Sequence, residues 1–267
     1  MLDANSSIAH QRTKGCAKIS LGARGIGMLH QSGAGKIMLP QVDGPREVVF
    51  LNTSGGITGG DVLEYELSLR DGHATATTQT AERAYRSVTG AGQIETVLRV
   101  ADGGHLNWLP QETILFEDAH LQRDLAIELE GRASVLFVDT LVLGRAAMGE
   151  TIQSLKLRDR REVRRDGRLI YREAISLTPD MLTRRGQSAL CGDARAMASL
   201  VLITPDPERY LNALNALEVN SVRMAASAWD EKLVMRFLAP DAFPLRRAMI
   251  SALETLNLCP IPRVWQI

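Results

Sequence analysis

Apolar and polar positions alternate at period two in one short stretch after another between Glu47 and Ser176. Glu64-Tyr65-Glu66-Leu67-Ser68-Leu69, Ala74-Thr75-Ala76-Thr77-Thr78-Gln79-Thr80, Thr96-Val97-Leu98-Arg99-Val100, His105-Leu106-Asn107-Trp108-Leu109 and Ala126-Ile127-Glu128-Leu129 each predict a half-buried strand. Ser134-Val135-Leu136-Phe137-Val138 is continuously apolar and predicts a strand covered on both faces. Acidic-Gly turns recur at Asp71-Gly72, Asp102-Gly103-Gly104, Glu130-Gly131 and Asp166-Gly167. Their spacing of roughly 30 residues lies in the range of stacked units. It favours layered, stacked-hairpin or solenoid-like sheets over an alternating βαβ chain.

The pattern changes after Thr178-Pro179. Met181 to Gln187 reads as a polar, mobile connection and Ala196 to Thr204 as a buried strand. Asp206-Pro207-Glu208 reads as a helix start, with a capping carboxylate and proline in the first turn, and Leu211, Leu214 and Leu217 form its apolar face. Val222–Ala226 and Leu233–Phe237 frame Trp229-Asp230-Glu231 as a hairpin. A second helix is expected from Ala242 to Leu258, with Pro244 in its first turn and Met249, Leu253 and Leu256 facing the core. The expected fold class is mostly β with two C-terminal α-helices: a flexible tail over 1–15, then a single domain over 16–267.

Composition narrows the function. Lys plus Arg equals Asp plus Glu at 31 each, and aromatics are 4%. Bulk electrostatic binding to nucleic acid or to an anionic membrane does not fit, nor do base-stacking platforms. Cys16, Cys191 and Cys259 are scattered and odd in number, which fits a reducing, cytoplasmic setting. Met1 to Lys14 has no apolar core of a secretory signal, and no apolar run is long enough to span a bilayer.

Candidate chemistry centres on Leu51-Asn52-Thr53-Ser54-Gly55-Gly56-Ile57-Thr58-Gly59-Gly60-Asp61. It reads either as a tight double turn between strands or as an amide-rich loop for an anion or a partner's carboxylate. It lacks the Gly-Lys-Ser/Thr ending of a phosphate loop. His10, His30, His73, His105 and His120 show no metal-ligand spacing. Asp61, Glu112, Glu117, Asp139, Glu150 and Glu173 are placed at or near strand ends, either as acid–base candidates or as solvated and salt-bridged acids. The segments Thr77–Ser87, Leu106–Phe116, Leu143–Glu150 and Pro262–Trp265 mix aromatics with Arg and Glu. That mixture suits either partner-binding anchors or buried ion-pair networks.

Taken together, Gly55–Asp61, Tyr85-Arg86-Ser87, Trp108–Ile114, Leu143-Gly144-Arg145, Gly149-Glu150 and Pro262-Arg263-Val264-Trp265 resemble the urease accessory protein family UreD, also called UreH, over roughly Gly15 to Trp265. Two departures are Ser54, where the family often has proline, and Arg83, where it often has lysine. The resemblance implies a UreD-like domain that is not an enzyme but a chaperone for GTP-dependent nickel insertion into apo-urease. Its implied partners are the urease apoprotein, a UreF-type protein and, through it, a UreG-type GTPase. No tightly bound cofactor is expected, only transient nickel. Residue type and motif position suggest Asp61, Thr78, Gln79, Glu112 and Glu150 near a nickel path. Tyr85, Arg86, Trp108, Arg145, Arg263 and Trp265 are expected to brace it or meet a partner. A structural adaptor that does not touch nickel, or a carboxylate-pair hydrolase, are the alternatives.

Overall fold

The computed structural model describes residues 12–144, 149–187, 191–192 and 194–266. Two sheets face each other. The first orders its strands β14 (Arg168–Leu177), β13 (Lys156–Arg165), β11 (His120–Leu129), β8 (Gly92–Val100), β5 (Val62–Leu69), β1 (Lys14–Gly22) and β2 (Gly25–Gly33). The second runs β16 (Arg223–Trp229), β17 (Lys232–Ala239), β15 (Ala196–Ile203), β12 (Ser134–Leu143), β9 (His105–Leu109), β6 (His73–Thr78), β4 (Arg46–Asn52) and β3 (Gly35–Met38). Short β7 (Glu82–Ala84) and β10 (Thr113–Leu115) attach to its side. Lys14 and Gly15 already lie in β1, inside the expected tail, whose residues 1–11 lie outside the described residues.

From β4 to β13 the long strands alternate between the sheets, and neighbours within each sheet are parallel. The solenoid-like alternative is therefore the one adopted, and hairpin stacking is not. The acidic-Gly echo has a physical origin here. Asp71-Gly72, Asp102-Gly103-Gly104 and Glu130-Gly131 carry the chain from the first sheet to the second, with Gly72, Gly103 and Gly131 at positive φ. Asp166-Gly167 instead closes the antiparallel β13–β14 hairpin.

Burial follows the layers. The first sheet faces the second on one side only, so β5 alternates buried and less buried residues. The second sheet is covered twice. Its inner face contributes Phe50, Ala74, Ala76, Trp108, Val135 and Phe137 to the core between the sheets. Its outer face packs Leu136, Val138, Leu200 and Leu202 against the C-terminal helices. Burial of every residue from Val135 to Val138 in β12 is the result that this apolar run predicts.

The helices depart in detail. The segment expected to be a mobile connection, Met181 to Gln187, overlaps α1 (Pro179–Arg184), which is capped by the Thr178 side chain. The Asp206 start does not cap a helix. A 3-10 turn over Glu208–Tyr210 without a side-chain cap leads into the short α2 (Leu211–Asn215). The second helix, α3 (Ala242–Leu256), starts on the Asp241 carboxylate and stops two residues before the expected Leu258, because Asn257 turns left-handed. The hairpin turn falls on Asp230 and Glu231, both at positive φ, as a two-residue connection between twisted strands demands.

Candidate functional site

The Gly-rich loop is a packing device. Asp61 is buried, and its carboxylate accepts the Thr13 amide at 2.8 Å and the Thr58 amide at 2.9 Å. Ile57 exchanges backbone hydrogen bonds of 2.8 Å with Arg83 and Tyr85. A Cβ on Gly56 would lie 2.4 Å from the Tyr85 ring and 2.7 Å from the Arg83 carbonyl oxygen, and one on Gly59 would lie 2.3 Å from the Thr89 carbonyl oxygen. The glycines thus let the loop lie flat against Tyr85-Arg86-Ser87. Of the two sequence readings, the structural one accounts for them. Asp61→Ala leaves two amides without their acceptor and is expected to cost about 2–3 kcal/mol. Urea unfolding checks this, and an unchanged midpoint would show that the loop holds without the carboxylate.

The Trp108–Thr113 and Pro262–Trp265 motifs also meet. Arg246 of α3 donates to Gln111 Oε1 at 2.7 Å, to the Val264 carbonyl at 3.2 Å and to Glu112 at 3.3 Å. Its guanidinium lies 5.1 Å from the centre of the Trp265 ring, whose Nε1 donates to the Leu109 carbonyl at 2.9 Å. Glu112 therefore belongs to a latch on the outer face, with buried Trp265, while Arg263 is exposed. Tyr85 stacks on Phe116 at 5.2 Å, and Arg86 pairs with Asp118 at 3.6 Å on the surface. Glu150 sits near Gly144, and Arg145 lies outside the described residues.

Between the sheets is a cavity of about 170 Å³. Thr53, Gly55 and Thr80 line it where it reaches solvent, and Asp139 and Asp159 line it where it is buried. Thr78, Gln79 and Trp108 face it, so it gathers part of the expected path and leaves Asp61, Glu112 and Glu150 elsewhere. Thr78 Oγ1 accepts the Gln111 amide at 2.9 Å, which fixes the turn after β9.

One shifted carboxyl of the cavity is not among the acids that the sequence singled out. Glu82 accepts Asn52 Nδ2 at 3.1 and 3.2 Å. Burial pushes its carboxyl up to about 7, against the opposing pull of the Asn52 hydrogen bond, the Arg83 amide and the Arg123 and Arg83 charges. Behind it lies an ion-pair cluster. Arg123 donates to Asp139 at 2.8 Å and to Asp159. Arg161 donates to Asp139 at 3.0 Å, to Glu173 at 2.7 Å and to Asp159. Glu173 also meets Arg236 and Ser199. Burial works to raise the Asp139 carboxyl, but Arg123 and Arg161 win and hold it below the usual carboxylate range. A second cavity of about 200 Å³, lined by Asp139, Arg161, Ser199 and Arg236, lies beyond the cluster. Asp139 thus borders both cavities.

Asp139 and Glu173 were expected at or near strand ends. Both sit inside strands and are buried. The available signal was Asp139 interrupting an apolar run and the dense alternating charge of Lys156–Arg165. Glu117 is a true loop acid, bracing the Gln153 and Ser154 amides at 2.8 and 3.0 Å. Among the described residues, no group of three or more His, Cys, Asp or Glu is placed to hold a metal ion. No described helix is long and apolar enough to cross a membrane.

Comparison with known proteins bears on which chemistry this interior serves. The family model for the UreD urease accessory protein matches residues 14–266. Similar chains are the urease accessory protein UreD of Jannaschia sp. (strain CCS1), 52% identical over 100% of both chains. That of Paracoccus denitrificans is 48% identical over 100% of this chain and 97% of its own. That of Dinoroseobacter shibae is 44% identical over 96% and 93%. With a family match along almost its whole length and relatives of up to 52% identity, the chain belongs to the UreD family of urease accessory proteins.

Proposed function

We propose that this chain is a cytoplasmic urease maturation chaperone, required for GTP-dependent insertion of nickel into apo-urease. It acts inside a complex with the urease apoprotein, a UreF-type protein and, through that protein, a UreG-type GTPase. The chain performs no turnover of its own. Nickel is cargo, and it passes through the interior from the mouth at Gly55 and Thr80, past Thr78, Gln79 and Glu82, to Asp139.

The observation that supports this reading is the pair of cavities meeting at Asp139 in a chain of this family. Their polar lining supplies carboxylate, hydroxyl and amide oxygens from Glu82, Asp139, Thr78, Gln79 and Asn52. Such hard donors bind a late divalent ion weakly, so it can leave again, whereas thiolates or imidazoles would retain it. Carboxylates already committed to guanidiniums, as Asp139 and Asp159 are, make poor general acids. That disfavours the hydrolase alternative.

The test is reconstitution. Urease subunits, the accessory proteins and nickel are expressed in a host that lacks them, with and without this chain. Urea hydrolysis and urease-bound nickel should both depend on it. Full nickel loading in its absence would end the maturation reading. Full loading by a chain whose Glu82 and Asp139 are both replaced, in an intact complex, would leave only the adaptor.

A further inference from the structure

Among the described residues β2 ends the seven-stranded sheet and pairs with β1 alone, so one side of its backbone has no strand partner there. Proteins normally shield such an edge with charge, proline, a bulge or a covering segment. The opposite edge, β14, is shielded by Arg168 and Arg172, the latter paired with Glu162. β2 reads Gly25-Ile26-Gly27-Met28-Leu29-His30-Gln31-Ser32-Gly33, with no Asp, Glu, Lys, Arg or Pro. Its register slips only near its start, opposite Ser20 and Leu21, leaving a regular edge from Met28 to Gly33. Ile26, Met28 and Leu29 are 51%, 41% and 44% exposed. The edge of the second sheet ends beside it, with Gln31 Oε1 accepting the Ile37 amide at 2.9 Å, and Met38, Leu39 and Val42 beyond it are exposed too.

In the local sequence the charge around this edge is net positive. Between Ala23 and Arg46 the bases are Arg24, Lys36 and Arg46, and the acid is Asp43. Among the described residues none of the three bases is in an ion pair with a carboxylate. The Arg46 guanidinium lies 4.0 Å from where a Cβ on Gly25 would stand, at the start of β2.

We infer that β2 is a docking edge that accepts an extended strand of a maturation partner, one carrying apolar side chains flanked by acids. Main-chain hydrogen bonds from the open edge supply affinity, and Ile26, Met28 and Leu29 select the facing side chains. The bases attract the acidic flanks. A second copy of this chain is a poor occupant, because pairing β2 with itself brings together two sets of the like-charged Arg24, Lys36 and Arg46. The inference rests on the maturation reading for the identity of its partner.

Hydrogen exchange of the full chain tests it, alone and mixed with purified urease apoprotein, with UreF-type protein, and with both. The outward-facing amides of Ile26–Gly33, those that β1 does not bond, exchange freely in the dilute chain and slow at least about tenfold in one of these complexes. Met28→Asp with Leu29→Asp, on exposed positions, weakens that complex at least about tenfold, while Met28→Leu leaves it intact. A complex in which these amides keep their free rates overturns the docking edge and leaves the maturation reading standing. Absence of any complex overturns both. Protection of those outward-facing amides already present in the chain alone, dilute or concentrated, also overturns the inference, since the occupant would then be this chain.

Discussion

Arg161→Met is expected to destabilise the protein by about 3–5 kcal/mol, the range for breaking a buried ion pair from one side. Arg161 is 2% exposed in its side chain and lies across Asp139, Asp159 and Glu173. Arg123, Arg161 and Arg236 together balance those three carboxylates. Methionine keeps much of the volume but leaves one negative charge unmatched in the interior. The cost is the desolvation of that stranded carboxylate, not the worth of the pair, since an apolar replacement of the whole cluster can be neutral. The double variant Arg161→Met with Glu173→Gln restores the balance and is expected to recover more than half of the loss. Urea denaturation followed by circular dichroism reads all three proteins. A single variant within about 1 kcal/mol of the parent would mean that water reaches the cluster and screens it.

That cluster marks the limit of what the chain disclosed before folding. Strands were legible because their period is local, and Glu64–Leu69 buries one face as its alternation says; Ala74–Thr80 alternates too and was expected half-buried, yet Ala74 to Thr77 are buried on both faces because β6 lies in the doubly covered sheet. The acidic-Gly echo disclosed the coil repeat, yet whether each turn made a hairpin or crossed to the other sheet is a long-range matter that no turn residue records. Asp206-Pro207-Glu208 carried every local mark of a helix start, and the chain spends it on a 3-10 turn. Arg161, Asp139 and Glu173 come from three strands that meet only in the folded coil. Each looks alone like a solvated charge, and pairing makes burial tolerable. Glu82 was hidden in the same way. It stands in Ala81-Glu82-Arg83, an ordinary polar triplet, and only the approach of Asn52 and the neighbouring strands encloses it. The latch of Gln111, Arg246 and Trp265 spans more than half the chain, so its motifs were visible singly and their union was not.

Glu82→Gln is expected to move stability and nickel delivery in opposite directions. The Glu82 carboxyl titrates near 7 in the folded protein, against 4.5 for an ordinary glutamate. The folded state therefore holds its proton more tightly than the unfolded state. The stability this contributes is complete below about 4.5 and is lost as pH rises through about 7, a span worth at most about 3 kcal/mol by linkage. Water in the cavity brings the real figure below that limit. Glutamine keeps an acceptor for Asn52 and carries no charge, so the variant should match the parent at pH 4 and exceed it at pH 8. The groups facing Glu82 set this window: Asn52, Arg83 and Arg123 lower its titration against burial, and Tyr65 is itself pushed up, first by burial and then by Glu82. Nickel delivery asks for the reverse. If the ion takes an oxygen of ionised Glu82 on its way to Asp139, glutamine should cut urease activation in the reconstituted system about tenfold. A merely structural Glu82 would give a variant that is more stable at pH 8 and delivers nickel at least as well as the parent. A loss of delivery in a protein that has gained stability cannot come from misfolding, which makes this pair of measurements a direct test of whether an acid is kept in an unfavourable cavity for the sake of the cargo.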